Sequence, residues 1–319
     1  MSTATAVPET YDLEGDDALK TLRSTGLKQL AVDAFDRFRA ADGFSHTRAL
    51  AFAVALAMVP FMIAFVGFTT TLDQQRFSDA VKKRVEQVAP GPASQIVSQA
   101  FRQGEKSAKD GGGSAALWIG LIATLLAATT AMGQVERGAN RIYGIEQDRP
   151  TMDKYKHGFV LTVTAGLLIV VATGLLIGGQ TMAEALGIEG ALNTVWSLLR
   201  WPLGIALVIA AFALLFQRSP RRRQPDISWL AFGSGLSVVL WLIFTGLLAI
   251  YLTASRSFGE TYGPLAGFVG VLLWSFLTSL ALYLGLAFAA QLEAIRSGSR
   301  APRTGEQRNE PGGRPRSRA

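Results

Sequence analysis

From Thr261 to Leu292 the chain runs 32 residues without a charged side chain. A helix needs about 20 consecutive apolar residues to cross the hydrocarbon core of a bilayer. Buried helices of water-soluble proteins are seldom this long and this free of charge. The run therefore reads as a membrane span. Gly263 and Pro264 mark its start, where a missing proline N–H is no loss. Small residues let helix backbones come close in lipid, where no hydrophobic force draws helices together. Gly267, Gly270, Ser275, Thr278, Ser279 and Gly285 recur along this run. It is expected to pack on other helices, with Gly263, Gly267 and Gly270 at the contacts.

Five further apolar runs precede it, and the charged residues, 17% of the chain, fall mainly between them. That pattern specifies an all-α polytopic membrane protein with six transmembrane helices in a domain over residues 46–295. The spans are expected at about 49–72, 114–135, 158–183, 195–217, 227–255 and 264–292. Pro60 lies in the middle of the first and should kink it, since it removes one backbone hydrogen bond. Gly174 and Gly178 stand in a G-x-x-x-G spacing in the third and predict a helix-packing face. Arg200 should snorkel from the fourth span to the interface.

Outside the spans, residues 1–26 are acidic and irregular and are expected to be disordered. Residues 27–45 carry Leu27, Leu30, Ala31, Ala34, Phe35 and Phe38 at helical spacing. Lys28, Asp33, Asp36, Arg37 and Arg39 fall largely off that face. This predicts an amphipathic helix in the headgroup plane; the other reading is a short connecting helix packed on protein. Residues 73–112 should form a small helical extracytoplasmic segment, broken at Pro90-Gly91-Pro92. Residues 296–319 read as a disordered basic tail. The first 48 residues are polar, so no secretory signal is expected and the first span should act as its own insertion signal. With both termini in the cytoplasm, 22 basic residues fall inside and nine outside. The positive-inside rule selects that orientation.

Little chemistry is available. There is no Cys, and the two histidines, His46 and His157, lie at different span boundaries. No metal or cofactor site is expected, and the chain reads as a non-enzyme. The basic residues follow topology, which argues against nucleic acid as a partner. Membrane lipid, with anionic headgroups at the cytoplasmic face, is the expected partner. The polar end of the second span, Gln134, Glu136, Arg137, Asn140 and Arg141, is the candidate contact for a solute or headgroup. Glu136 and Asn140 are four apart, as are Arg137 and Arg141, so each pair shares a helix face. A guanidinium matches phosphate in a two-pronged geometry. The plainer reading is that these arginines only mark the cytoplasmic side.

Three segments resemble one known family. ALAFAVALAMVP at Ala49–Pro60, GANRIYGIEQDRP at Gly138–Pro150, and TYGPLAGFVGVLLW followed by YLGLAFAAQLEA look like the YihY/BrkB family, closest to its YhjD-like branch. The likeness covers roughly Gly43 to Ala294. It implies six transmembrane helices, a bacterial inner-membrane location and cytoplasmic ends. Members have often been labelled ribonuclease BN, a label the missing catalytic side chains oppose. Where many members carry a Gly-Ala-Glu-Leu-Asn-like run, this chain has Gly285, Leu286, Ala287, Phe288 and Ala289. A role for that family carboxylate does not transfer to Ala287. Two functions are consistent with these residues. One is a transporter or exporter of a lipid-like or amphipathic solute. The other is a non-enzymatic envelope scaffold, binding partner proteins or a second copy of itself.

Overall fold

The structure, a computed structural model, describes residues 3–10, 12–71, 113–185, 187, 190–254 and 265–302. Two short helices, α1 (Gly15–Thr25) and α2 (Leu27–Ala40), come first. Six long ones follow: α3 (Gly43–Thr71), α4 (Gly113–Tyr143), α5 (Thr151–Ala185), α6 (Gly190–Arg218), α7 (Ile227–Ala254) and α8 (Ala266–Arg296). All six are long and apolar enough to cross a membrane, and they match the six expected spans one for one. No strand occurs among the described residues. α3 is one helix through Pro60. Gly263 and the expected extracytoplasmic segment, residues 73–112, lie outside the described residues.

The spans touch in a closed cycle. Each packs on the next in the chain, and α8 returns to α3. α8 also meets α4, α2 and α1. Half of its span is buried, against 17–28% for the other five. The charge-free run at the head of the sequence reading is thus the most enclosed helix. The contiguous apolar core sits at one end of the bundle. It joins the last turns of α4, α6 and α8 to the first turn of α7, through Ala139, Ile142, Leu215, Phe216, Trp229, Leu230 and Leu292, and reaches Leu161 and Ala165 on α5. α1 and α2 cap this same end with Ala18, Leu30, Ala34 and Phe38.

The described N-terminal residues are packed on the bundle rather than disordered, contrary to the expectation for residues 1–26: 3–10 are irregular but hydrogen-bonded to it, and Gly15–Thr25 is helical. Asp16 and Asp17 lie in the first turn of α1, where negative charge meets the positive end of the helix dipole. The Gly15 N–H donates to Ser228 Oγ at 3.0 Å. Gly26, with φ +82°, lets α1 turn directly into α2. Residues 3–8 form a strap across the ends of α4 and α8. Ala4 N–H donates to the Arg141 carbonyl, and Val7 N–H to that of Tyr143, both at 3.1 Å. Gly144, at φ +81°, leaves the space that Ala6 fills. The C-terminal tail is ordered at its start as well. Gln291 Nε2 donates to the Arg300 carbonyl at 2.9 Å, and Thr5 N–H to that of Pro302 at 3.1 Å.

The apolar stripe of α2 divides. Leu30, Ala34 and Phe38 are buried on the protein, whereas Leu27, Val32 and Phe35 are exposed. The packed-helix reading describes the inner edge. Arg37, expected off the apolar face, is fully buried. It stands seven residues after Leu30 and three after Ala34, which puts it on their face.

The packing glycines also differ from expectation. A Cβ at Gly174 or Gly178 would meet nothing within 4 Å, so neither glycine of the G-x-x-x-G spacing sits at a close helix contact among the described residues. Gly267 and Gly270 are buried as expected, although Gly270 faces only Leu252 at ordinary contact distance. The close crossing lies further along, at Gly233 of α7 and Gly285 of α8. A Cβ on Gly233 would sit 2.7 Å from both the Gly285 carbonyl and Ala289 Cβ.

Candidate functional site

The polar end of α4 is helical to Tyr143, so Gln134 to Arg141 ride on one continuous helix. The structure brings four of the five expected residues together, but not around open space. Glu136 is buried and pairs with Arg149, Nη1 to Oε2 at 3.1 Å. Asn140 is fully buried. Its Nδ2 donates to Asp148 Oδ1 at 2.9 Å, and its Oδ1 accepts from the Arg221 N–H at 2.8 Å. Arg141 donates to the Ile145 carbonyl at 2.5 Å and pairs with Asp148 at 3.4 Å. Arg137 lies 3.7 Å from the same carboxylate, with its side chain 37% exposed. Gln134 contributes its backbone carbonyl, which accepts from Tyr283 Oη at 2.8 Å.

These contacts stitch the α4–α5 and α6–α7 connections together. Arg149 completes the stitch by donating to the Ser219 and Pro220 carbonyls at 2.9 and 3.2 Å. Asp148 is the anion to which Arg137 and Arg141 turn. The sequence pattern puts both arginines on one helix face but gives no sign of this partner, which lies seven residues beyond Arg141.

A second polar centre lies beneath the strap, on residues that the sequence analysis does not single out as a site. Arg222, in the basic cluster between α6 and α7, has a side chain only 3% exposed and pairs with fully buried Glu293 at 2.6 Å. Its guanidinium lies 4.7 Å from the Tyr143 ring centroid, a cation–π distance. It also donates to the Val7 and Pro8 carbonyls of the strap. Glu293 Oε1 accepts a second bond from Thr10 Oγ1 at 2.6 Å. Arg37 enters from α2, with Nε to Gln291 Oε1 at 2.7 Å and Nη1 to the Thr5 and Ile142 carbonyls at 2.9 and 3.1 Å. Burial pushes Arg37 down to about 10, so it stays cationic at neutral pH. One signal was available: Glu293 ends a long apolar run and sits one turn from Ala289 and Ala290, on an enclosed face.

Within the membrane, several polar side chains bond locally or to a neighbouring span. Thr129 and Thr130 donate to carbonyls four residues back, and Ser234 to the carbonyl three back. Gln180 pairs with Asn193 across α5 and α6 at 3.1 Å. Ser237 reaches the Leu282 carbonyl at 3.5 Å. Ser275, Thr278 and Ser279 differ. Their hydroxyls are buried halfway along α8 without a hydrogen-bond partner among the described residues.

The family described as virulence factor BrkB matches residues 34–311. YfkH, a ribonuclease-like protein of Bacillus subtilis (strain 168), is 24% identical over 257 residues, which is 79% of this chain and 91% of that protein. A UPF0761 membrane protein of Chromohalobacter salexigens is 25% identical over 264 residues, covering 82% of this chain and 62% of that one. The UPF0761 membrane protein RSc1559 of Ralstonia nicotianae is 27% identical over 253 residues, covering 78% and 55%. The chain thus spans less than two thirds of the length of these two UPF0761 relatives. No solved structure matches it.

Proposed function

The chain belongs to the virulence factor BrkB family of membrane proteins, and on that premise we propose that it is a transporter or exporter of a lipid-like or other amphipathic solute. The observation that carries this reading is the row Ser275, Thr278 and Ser279 on the most enclosed span. A hydroxyl without a partner in hydrocarbon is costly. Polar groups at membrane depth commonly mark a solute path. The protein is assigned to the bacterial inner membrane with both termini cytoplasmic, which puts the packed end and the strap on the cytoplasmic side. Arg137, the more exposed arginine of the α4 end, is the one set to meet headgroups there. The Gly174 and Gly178 stripe is left for lipid or a second copy.

The test is lipid movement in proteoliposomes, read by quenching of a fluorescent phospholipid from outside. Protein-containing vesicles should scramble faster than empty ones. Ser275→Val with Ser279→Val should slow this about five- to thirtyfold, as one or two lost hydrogen bonds of about 1 kcal/mol would give. Movement at the empty-vesicle rate would refute the proposal and favour the scaffold.

The ribonuclease-like name of YfkH is not carried over. No group of three or more His, Asp or Glu among the described residues could hold a metal. His157 Nε2 is engaged with the Arg218 carbonyl at 2.6 Å, and His46 Nε2 is buried elsewhere without a partner among the described residues. Purified protein should cleave RNA no faster than a mock preparation; cleavage lost on His46→Ala or His157→Ala would overturn this.

A further inference from the structure

The outer face of α2 is apolar in its middle and basic at both ends. Lys28, Val32, Phe35 and Arg39 fall at i, i+4, i+7 and i+11, on one side of the helix. All four are exposed. The opposite side, with Leu30, Ala34, Arg37 and Phe38, is buried on the bundle.

α3 fixes the depth of this face. Arg48 is the last charged residue before 24 uncharged ones, Ala49 to Leu72, so the hydrocarbon of the bilayer begins close to it. Phe44 stands four residues before Arg48, about 6 Å along the helix axis. The headgroup layer is about 5–8 Å thick. Exposed Phe44 is therefore at headgroup level. α2 is held at the same level, since the Phe44 ring centroid is 5.0 Å from that of Phe38 and 6.4 Å from that of Phe35. Exposed Phe52, Leu56 and Val59 carry the apolar surface on along α3. Through Phe35 and Phe44, the outer face of α2 is continuous with a surface that faces lipid.

Charge selects the kind of lipid. The exposed charged side chains between Leu27 and Arg48 are Lys28, Arg39 and Arg48, all basic. The acids of the same stretch are turned inward. Asp33 is buried and pairs with Arg300 at 3.3 Å, and Asp36 and Asp42 are half-buried. Lys28 and Arg39 are about 16 Å apart along the helix, so they reach separate headgroups on either side of Val32 and Phe35. Long basic side chains lay their stems on apolar surface and keep their charge among the headgroups. A helix with a basic rim and an apolar centre sinks that centre about 5–10 Å into the headgroup–acyl boundary.

We infer that α2, with Phe44 and Arg48, docks on the membrane surface and recruits anionic phospholipid. Val32, Phe35 and Phe44 enter the boundary, and Lys28, Arg39 and Arg48 hold lipid phosphates. On its inner side the same helix grips Gln291 and the Thr5 carbonyl through Arg37. The docked helix thus ties the strap and the end of α8 to one leaflet. The inference rests on α3 crossing the membrane and does not depend on the transport reading.

The full chain is free of Cys, so Val32→Cys can carry a single fluorophore. The labelled protein is placed in phosphatidylcholine nanodiscs, one copy to a disc. Phosphatidylcholine or phosphatidylglycerol bearing a nitroxide high on the acyl chain is then titrated in. Both lipids should quench the label. Half-maximal quenching should need at least about fivefold less of the phosphatidylglycerol, the scale of one basic residue at such a surface. High salt should shrink this difference. Replacing Lys28, Arg39 and Arg48 together by Gln should abolish it, while the phosphatidylcholine quenches as before. A label that aqueous iodide quenches and neither lipid does would overturn the inference. A label shielded from lipid and iodide alike would also overturn it, and would give the face to protein. So would equal quenching by the two lipids, or a preference that the triple variant leaves unchanged.

Discussion

The Arg222–Glu293 pair allows a quantitative test of the buried centre. The two side chains are 3% and 0% exposed and meet at 2.6 Å. Arg222→Ala leaves Glu293 with Thr10 as its one donor among the described residues and Oε2 still unpartnered there. A buried charge stripped of its counter-charge costs about 3–5 kcal/mol. Glu293→Ala is milder, because Arg222 keeps the Val7, Pro8 and Arg223 carbonyls and the Tyr143 ring. Its cost should be about 2–3 kcal/mol, the scale of one charge-assisted hydrogen bond. The double variant removes both charges, so it should cost less than the sum of the singles, with a coupling of about 2 kcal/mol. Reversible unfolding in mixed SDS micelles, followed by fluorescence of the six tryptophans, gives all four corners of the cycle. Additivity within about 0.5 kcal/mol, or a larger cost for Glu293→Ala than for Arg222→Ala, would refute this account.

Gly285→Ala should cost about 1–3 kcal/mol, because its Cβ runs into Ser237 Oγ and the Gly233 carbonyl. Gly174→Ala and Gly178→Ala, facing open space, should stay within about 0.5 kcal/mol in the same unfolding assay. Asn140→Ala should cost about 2 kcal/mol by orphaning the Arg221 N–H and removing one donor from Asp148, which keeps Arg141, while half-exposed Arg137→Ala should cost about 0.5 kcal/mol or less. In this Cys-free chain, exposed Leu192→Cys should react with an impermeant reagent in intact cells, and Arg223→Cys only after permeabilisation; the reverse would invert the topology. Asp226 is held below the usual carboxylate range by the backbone N–H of Ser228 and then by its hydroxyl. Both bonds favour the ionised form, so this stabilisation is complete above the ordinary carboxylate pKa. It is lost as pH falls through the lowered one, so the stability gap between wild type and Asp226→Asn should close in acid.

Span number and position were legible because they depend on one strong signal, runs of apolar residues bounded by charge. The site was legible in part. Glu136, Asn140 and Arg141 were found because polar residues continuing a span are conspicuous, but their partner Asp148 lies in a connection whose path no periodicity dictates. Arg37 was misread, and Arg222 passed over, because charge is a good guide to exposure only on average. Arg37 has a helical position that predicts burial, whereas Arg222 sits in a basic cluster that reads as surface. The Gly174–Gly178 spacing misled for a related reason. A small-residue stripe specifies that a neighbour can come close, not that one does. Gly233 and Gly285 make the close crossing without any such repeat between them.

The placement of the core at one end follows from what drives association in each medium. Between spans in hydrocarbon, lipid tails are as apolar as leucine, so burying one against the other gains little. At the water-facing end the hydrophobic effect returns, and α1, α2 and the strap can bury Ala18, Leu30, Phe38 and Val7 at a gain. The same end is where charges can be paired at tolerable cost, since they arrive from water with the tails and connections that carry them. Six of the seven ion pairs among the described residues, every one except the local Lys20–Asp17 contact, link a span or α2 to a tail or connection, or tie the termini to each other. The described parts of the tails are therefore part of the packed structure rather than appendages to it. A span boundary drawn from hydropathy alone at Leu292 stops one residue short of Glu293, which holds α8, the strap and the α6–α7 connection together.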